Sequence, residues 1–284
     1  MRYFEIEDNI MEMESVDLYV NYGIERNHAV GGYLTVYADS QTSKLPHLRP
    51  AMLIMPGGAY LGISDGEGEP IAIRYAQKGF ATFVLSYSIH TAYPAPLTEA
   101  MLAMRFIRDN AKKYNVDKDK VCAMGFSAGG HLCGMLATVK KSETERIGEV
   151  PKNVRPNAVI MSYAVVTLGE YTHEDTKNVI TGGDKDLTEK LSIEKRVDKD
   201  SSPTFIWHTY EDNAVPVENS LMLASAYRKN KVPFALHIFE HGWHGLALCN
   251  ENDYPPERML LRRVGKWVDL SVDWLRSHNM GIEH

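Results

Sequence analysis

The chain has 284 residues and a formal net charge of −6, with acidic and basic side chains spread along its whole length. A chain of this size favours one large α/β domain and can bury about 75% of the surface that it would expose when unfolded. The spread of charge offers no basic stripe for nucleic acid or for an anionic membrane, so we expect a small or neutral partner molecule.

The apolar segments and the cysteines bear on the compartment. No segment approaches the roughly 20 apolar residues of a membrane span, and the N-terminus lacks the apolar stretch of an export signal. Cys122, Cys133 and Cys249 cannot all pair with one another, and two of them lie in apolar runs. We therefore expect reduced thiols in a cytoplasmic protein. The sequence leaves assembly into a homo-oligomer open.

The first 50 residues have the pattern of antiparallel edge strands. Apolar and polar residues alternate over 16–20 and again over 33–37, and Gly31 and Gly32 fall between the two runs. This pattern predicts two strands joined by a glycine turn.

A continuous apolar run, 51–55, predicts a strand that is covered on both faces. Gly57 and Gly58 follow it closely, and glycines at the end of a central strand allow bare backbone N–H groups to face a ligand. We predict that the N–H of Gly58 or of Ala59 helps to bind a negatively charged oxygen. An ordinary turn is the alternative.

The next segments alternate between helix and strand patterns. Ser64 and Glu67 have the spacing of a capping box, and a helix is predicted from Glu69 to Gln77. A buried strand is predicted over 80–87, and a helix follows the proline-containing segment 93–97.

The G-x-S-x-G pattern at 125–129 is the most informative stretch of the chain. It follows a strand-like apolar run, 121–124, and precedes a helical pattern. In this context Ser127 is held in a strained backbone conformation, at a cost of roughly 1–3 kcal/mol, and its hydroxyl is lifted clear of the sheet edge. Such a tight turn requires small residues two positions before and after the serine. Without the strand and the helix, the five residues would be equally typical of a plain glycine-rich turn.

The helix that begins at the serine adds a second feature. Its first-turn N–H groups have no intrahelical acceptor and point at any negative charge that forms beside the serine. We therefore predict that the Ala128 N–H also donates to a negatively charged oxygen.

The second half of the chain continues the alternation. Strands are predicted over 157–166, 203–208 and 234–239, and a terminal helix over 258–276. Between 168 and 200 the composition shifts to charged residues and threonine, and a helix is predicted over 186–197. We interpret this insertion either as a small lid or pocket wall, or as a solvent-exposed segment without a role in the site. Alternating strands and helices predict a mostly parallel, doubly wound α/β sheet in a single domain, 1–284.

To act as a nucleophile, Ser127 needs a neutral imidazole that takes its proton and a buried acceptor that orients the imidazole. In a parallel sheet such groups lie in loops at the carboxyl ends of strands. Asp212 follows the strand 203–208, and His244 follows the strand 234–239. We predict that Ser127, His244 and Asp212 form a catalytic triad.

Neighbouring residues compete for these roles. Glu211 is adjacent to Asp212, and His241 lies three residues before His244. We prefer Asp212 because the residues after it suit a turn, and His244 because it lies at the tip of a loop. Three further histidines are interpreted as structural: His131, His208 and His237.

Two histidines and two aromatic residues are candidates for metal binding and for the substrate pocket. His241 and His244 have a spacing found in metal sites, but glycine at 242 and 245 disfavours a helix and no cysteine or carboxylate cluster completes a ligand set, so we predict no metal. The triad chemistry also requires no organic cofactor. Tyr60 and Trp243 are candidate walls of the substrate pocket, although ordinary packing at the rim is the stronger interpretation for both.

Six segments together resemble one known superfamily: Pro56-Gly57-Gly58-Ala59-Tyr60, Glu67-Gly68-Glu69-Pro70, Tyr93-Pro94-Ala95-Pro96-Leu97, Gly125-Phe126-Ser127-Ala128-Gly129-Gly130-His131-Leu132, Asp212-Asn213-Ala214-Val215-Pro216 and His244-Gly245. They are similar to those of the α/β-hydrolase superfamily, and within it to the esterase and lipase branch that includes acetyl-xylan esterase-like carbohydrate esterases. The likeness runs from about residue 51 to the C-terminal helix.

The resemblance implies a serine carboxylesterase that acts on short-chain acyl esters, above all acetyl esters of sugars or xylo-oligosaccharides. The chain departs from the pattern at Pro56, where lipases often carry histidine, and at Ala59, where they carry a third glycine; this leaves open whether Gly58 or Ala59 donates. Glu99 stands where relatives carry aspartate and is interpreted as structural. The alternatives are an arylformamidase-like amidase, an oligopeptidase-like hydrolase with the same triad, and a non-catalytic binding scaffold.

Overall fold

An eight-stranded sheet forms the centre of the computed structural model, which describes residues 5–6, 9–10, 13–26, 30–37, 47–249 and 256–281. Its order is β10-β9-β8-β7-β5-β6-β4-β3. The strands are β3 (Glu14–Asp17), β4 (Tyr33–Tyr37), β5 (Arg49–Met55), β6 (Ala81–Ser86), β7 (Val116–Phe126), β8 (Val159–Ser162), β9 (Thr204–Thr209) and β10 (Phe234–Phe239). Two short strands, β1 (Glu5–Ile6) and β2 (Asn9–Ile10), pair with each other.

The sheet is parallel from β10 to β6 and antiparallel at the β4 and β3 edge. This arrangement confirms the predicted mostly parallel, doubly wound α/β fold. The chain passes from β5 outward to β6 and then returns to place β7 on the other side of β5. The carboxyl ends of β5 and β7 therefore flank the point where the strand order reverses, which is where open α/β sheets bind ligands.

Helices cover both faces of the sheet. They are α1 (Leu18–Tyr22), α2 (Glu69–Ala76), α3 (Ala95–Asp109), α4 (Ser127–Ala137), α5 (Lys141–Thr144), α6 (Pro151–Val154), α7 (Glu174–Thr181), α8 (Lys185–Leu191), α9 (Ile193–Arg196), α10 (Glu218–Asn230) and α11 (Trp267–Ser277). Alternate residues of β5 enter different cores: Leu53 and Met55 pack with α3 and α4, whereas Met52 and Ile54 pack with α2 and α11. The continuous apolar pattern of β5 follows from this burial on both faces.

The N-terminal edge corrects one prediction. β3 and β4 pair antiparallel, but residues 18–20 begin a helix instead of continuing a strand, because the Asp17 carboxylate accepts hydrogen bonds from the N–H groups of Tyr19 and Val20. Gly32 does not sit in a hairpin turn either. A β-carbon there would lie 2.6 Å from the Tyr19 ring, so this glycine permits a close approach to α1.

The bounds of several other elements also differ from the predictions. β8 ends at Ser162 because Tyr163 adopts a positive φ of 34°, which a strand does not accommodate. The terminal segment is a 3₁₀ helix over Pro256–Lys266 followed by α11, in place of one continuous helix. The insertion forms α7, α8 and α9, and Ile193 packs against Gly134 of α4. The interpretation of this insertion as a lid stays a prediction.

No helix in the described part of the chain is long and apolar enough to cross a bilayer.

Candidate active site

Ser127 lies at the bend between β7 and α4. Its φ of 51° is in the left-handed region, as expected for a strained serine turn. A β-carbon on Gly125 would lie 2.1 Å from the Gly129 carbonyl oxygen, and one on Gly129 would lie 2.1 Å from the Met55 carbonyl oxygen. Both glycines are therefore required, although Gly129 is restricted by the end of β5 and not by Gly125.

A chain of hydrogen bonds joins Ser127, His244 and Asp212. The Ser127 Oγ lies 2.8 Å from His244 Nε2, and His244 Nδ1 lies 2.7 Å from Asp212 Oδ2. A carboxylate can only accept, so Nδ1 carries the proton and Nε2 accepts the hydrogen bond of the serine hydroxyl. The structure thus brings together three side chains that are 117 and 32 positions apart along the chain.

Asp212 is held in a single orientation by backbone and side-chain donors. Its Oδ1 accepts from the N–H groups of Ala214 at 3.0 Å and Val215 at 2.9 Å, and its side chain is fully buried. Burial alone would raise the pKa of this carboxyl group, but hydrogen bonds from His208, His244 and Val215 outweigh that effect and hold the pKa well below its usual range. Asp212 is therefore ionised at neutral pH.

The two residues that competed for these roles pair with each other. His241 Nδ1 lies 3.0 Å from Glu211 Oε1, and Glu211 Oε2 accepts from the Gly242 N–H at 3.1 Å. These contacts connect the loop after β9 to the loop after β10, which carries His244. Glu211 and His241 therefore lie at the surface and support the loops from outside.

His208 is a buried structural residue, as predicted. Its Nε2 donates to the Val215 carbonyl oxygen at 2.9 Å, and its Nδ1 lies 2.7 Å from Ser220 Oγ. Nε2 also lies 3.3 Å from Asp212 Oδ2, a contact that the sequence analysis missed. The only sequence signal for it is the spacing of four residues between the end of β9 and the loop that follows.

The loop after β5, residues 56–64, approaches Ser127 from the other side. A β-carbon on Gly57 would lie 3.0 Å from the Ser127 β-carbon, so this backbone packs directly against the serine. Gly58 and Ala59 both have positive φ, at 125° and 58°. Within the described residues, their N–H groups donate to no other protein atom. The Ala128 N–H lies in the first turn of α4, where backbone donors have no intrahelical acceptor.

Tyr60 packs inside the protein and does not reach solvent, so the structure gives no support to its candidate role as a pocket wall. Its side chain is fully buried, and its hydroxyl lies 3.0 Å from His131 Nδ1, which offsets the cost of burying it. His131 Nε2 donates to the Leu191 carbonyl oxygen at 2.9 Å, and burial lowers the pKa of His131 to about 4. The structural interpretation of His131 is confirmed: it is a neutral link between the β5 loop, α4 and the insertion.

Trp243 is 37% exposed and lines an open cavity of about 590 Å³ beside the β9 and β10 loops. Tyr210, Glu211, Asn213 and Glu218 contribute to the same wall. The predicted position of Trp243 on a pocket wall is compatible with this location, and its contact with substrate stays a prediction.

Glu67 has partners that the capping-box spacing did not indicate. The predicted helix does begin at Glu69, as α2, but Ser64 makes no side-chain cap bond to a backbone N–H, and its side chain instead hydrogen-bonds to the Glu67 carboxylate. Glu67 is 4% exposed, and its carboxylate accepts from the Gly57 N–H at 2.7 Å and from the Tyr163 hydroxyl at 2.6 Å. The sequence carried no signal for these distant partners beyond an acidic residue between two glycines.

Metal-binding groups are not clustered in the part of the chain that the structure describes: no three or more His, Cys, Asp or Glu side chains are placed to hold an ion. The chemistry available to the site is that of the serine, the imidazole, the carboxylate and the backbone donors.

Comparison with known proteins gives consistent matches. A family model described as BD-FAE matches residues 34–227. The chain is 43% identical to an endo-1,4-beta-xylanase B of Butyrivibrio fibrisolvens over 72% of its own length and 33% of that protein, and 29% identical to an acetylxylan esterase of Xylanibacter ruminicola over 77% and 45%. It therefore spans about a third to a half of these curated relatives.

A solved structure covers nearly the whole chain. The acetyl ester-xyloside bifunctional hydrolase of Caldicellulosiruptor lactoaceticus is 34% identical and superposes with a TM-score of 0.81, over 95% of this chain and 97% of that chain.

Proposed function

Because the chain belongs to the BD-FAE family of α/β-hydrolases and is a serine-type esterase, we propose that it hydrolyses short-chain acyl esters, above all acetyl groups on xylo-oligosaccharides or other sugars. The observation that carries this proposal is the continuous hydrogen-bond chain from Ser127 through His244 to the ionised Asp212. The substrate class rests on the similarity of the chain to an acetylxylan esterase and to an acetyl ester-xyloside bifunctional hydrolase.

In this proposal Ser127 Oγ attacks the acyl carbon while His244 Nε2 takes the hydroxyl proton. Asp212 stabilises the imidazolium that forms and keeps Nδ1 protonated. The imidazolium then protonates the departing sugar hydroxyl, which leaves an acyl-serine. A water molecule, deprotonated by the same imidazole, attacks the acyl carbon, releases the carboxylic acid and restores the serine.

Negative charge that develops on the carbonyl oxygen needs fixed donors. We assign this role to the Ala128 N–H together with the N–H of Gly58 or Ala59, because these donors flank the serine and have no other acceptor within the described residues. Loss of one such donor in a comparable site costs about 10²- to 10³-fold in kcat.

Side-chain exposure supports a sugar as the alcohol part of the substrate. The half-exposed Trp243 ring and the exposed Tyr210 ring share the wall of the cavity with the polar groups of Glu211, Asn213 and Glu218. Aromatic faces combined with a few hydrogen-bonding groups are typical of pockets for small polar ligands. We therefore place the sugar against Trp243.

The direct test is hydrolysis of acetylated xylo-oligosaccharide by Ser127→Ala and His244→Ala. Each variant should lose roughly 10⁴-fold or more in kcat/KM, because the triad acts as a unit. Ser277→Ala, which alters an exposed serine in α11, serves as the matched control and should be unchanged. Near-normal hydrolysis by Ser127→Ala would overturn the proposal, and faster turnover of N-formylkynurenine than of the acetylated sugar would reassign the enzyme as an amidase.

A further inference from the structure

Glu67 is a buried carboxyl group that the triad mechanism does not use. Its side chain is 4% exposed, and its hydrogen-bond partners, the Gly57 N–H and the hydroxyls of Tyr163 and Ser64, carry no formal charge. Burying a carboxylate away from a cation is costly unless its oxygens are well satisfied. The position of this group beside the serine therefore calls for an explanation in terms of the site.

One oxygen of Glu67 holds the β5 loop. Oε2 accepts from the Gly57 N–H at 2.7 Å, and Gly57 immediately precedes the two candidate donors Gly58 and Ala59. A β-carbon on Gly57 would lie 2.7 Å from Oε2 and 3.0 Å from the Ser127 β-carbon. The carboxylate thus fixes the backbone that separates the candidate donors from the serine.

The other oxygen of Glu67 holds the β10 loop through Tyr163. Oε1 accepts from the Tyr163 hydroxyl at 2.6 Å, and that hydroxyl accepts in turn from the Ala247 N–H at 3.0 Å, three residues after His244. The Tyr163 ring also lies edge-on against the His244 ring, with 5.0 Å between the ring centroids. Tyr163 supports the histidine loop both at its backbone and at the imidazole.

We propose that Glu67 is a positioning residue that fixes the distance between the β5 loop and the His244 loop by binding Gly57 and Tyr163 at once. It does not touch the substrate. Its contribution is to hold the backbone donors and the imidazole in register with Ser127 as charge develops, so it should affect the reacting state more than substrate binding. This inference rests on the proposed function.

The test uses Glu67→Gln and Tyr163→Phe with p-nitrophenyl acetate. The glutamine amide cannot accept from both donors at once, and the phenylalanine lacks the hydroxyl. Each variant should lower kcat by on the order of 10-fold or more while KM changes less than about twofold. The affinity for phenylboronic acid, which forms a tetrahedral adduct with an active serine, should fall by the same factor as kcat/KM.

A double variant and a control separate positioning from general loss of structure. If the two residues act through one connection, their effects should not multiply. The kcat of the Glu67→Gln/Tyr163→Phe protein should then be at most about threefold lower than that of the less active single variant. Glu99→Gln alters another buried carboxyl group, which accepts from the Ser88 N–H at 2.6 Å and the Tyr19 hydroxyl at 3.1 Å; it should lower thermal stability and leave kcat unchanged.

Several results would overturn the inference: an unchanged kcat in both single variants, a rise in KM with constant kcat, or effects that multiply in the double variant. If Glu67→Gln does not fold, Tyr163→Phe decides the matter by the same measurements. Ser127→Ala is assayed alongside, so that a failure of the proposed function, in which Ser127→Ala stays active, is distinguished from a failure of the positioning role alone.

Discussion

The two sides of the site differ in how much of them reaches solvent. On the β5 side, Tyr60, Glu67 and His131 are buried, and each has a hydrogen-bond partner inside the protein. On the β9 and β10 side, Tyr210 is 69% exposed and Trp243 is 37% exposed around the cavity. One side is fixed by internal bonds and suits positioning, whereas the other is open and suits contact with a variable substrate.

The two carboxyl groups sharpen this comparison. Two imidazoles and backbone N–H groups surround Asp212, and they hold its pKa well below the usual range in spite of its burial. Burial raises the pKa of Glu67, and the hydrogen bonds from Tyr163 and Gly57 offset only part of that effect. The same chemical group is thus a charged partner for His244 on one side and a fixed link between loops on the other.

Of the two carboxyl groups, Asp212 should have the larger effect on catalysis when its charge is removed. Asp212→Asn should lower kcat by about 10³- to 10⁴-fold, because the amide no longer holds the proton on His244 Nδ1. The measurement is kcat with p-nitrophenyl acetate. Asp269→Asn, which removes an exposed carboxylate paired with Lys78, is the control and should have normal kcat. A kcat within tenfold of normal in Asp212→Asn would contradict the role of Asp212 as the charged partner of His244.

A smaller effect is expected on the buried side, and it appears in stability. The pKa of His131 is about 4 in the folded protein, against about 6.5 in an unfolded chain. Between these values the unfolded chain binds a proton that the folded protein does not, so stability is complete above pH 6.5 and falls as the pH drops. The loss should reach about 2 kcal/mol at pH 5.

His131→Gln cannot titrate and isolates this contribution, since the other histidines are common to both proteins. Urea unfolding at pH 7 and pH 5 should show a variant that is less stable at pH 7 but loses about 2 kcal/mol less than the parent between the two pH values. Equal losses in both proteins would show that His131 is not held neutral beneath the serine.

The smallest effect concerns substrate choice. Trp243→Ala should lower the ratio of kcat/KM for acetylated xylo-oligosaccharide to that for p-nitrophenyl acetate by about 10-fold, since a truncated aromatic contact costs roughly 1–2 kcal/mol. Tyr60→Phe, on the buried side, should leave this ratio within about twofold. A ratio that responds to Tyr60 and not to Trp243 would reverse the assignment of the two sides.

Local patterns predicted the parallel part of the sheet well. β10 has the predicted bounds 234–239, and the continuous apolar run of β5 reflects burial on both faces. Residues 18–20 were predicted as strand because their alternation is the same whether or not a preceding aspartate caps a helix. Strand periodicity therefore identified the sheet, and a single side-chain cap decided the edge.

Sequence patterns likewise predicted some residues of the site and missed others. The order Ser127, Asp212, His244 could be predicted because each residue follows a parallel strand, and parallel strands end at one edge of the sheet. Glu67 and Tyr60 could not, because their partners Gly57, Tyr163 and His131 are fixed by tertiary packing. The capping-box spacing at Glu67 is a local signal that accounts for its contact with Ser64 but not for its two distant donors.

The central claim is that Ser127 is the nucleophile and that His244 activates it. The most direct measurement is reaction with a fluorophosphonate, followed by peptide mapping of the modified residue. We expect a single adduct on Ser127, no labelling of Ser127→Ala, and labelling of His244→Ala that is slower by about 10³-fold or more. An unmodified Ser127, or labelling at the normal rate in His244→Ala, would contradict it.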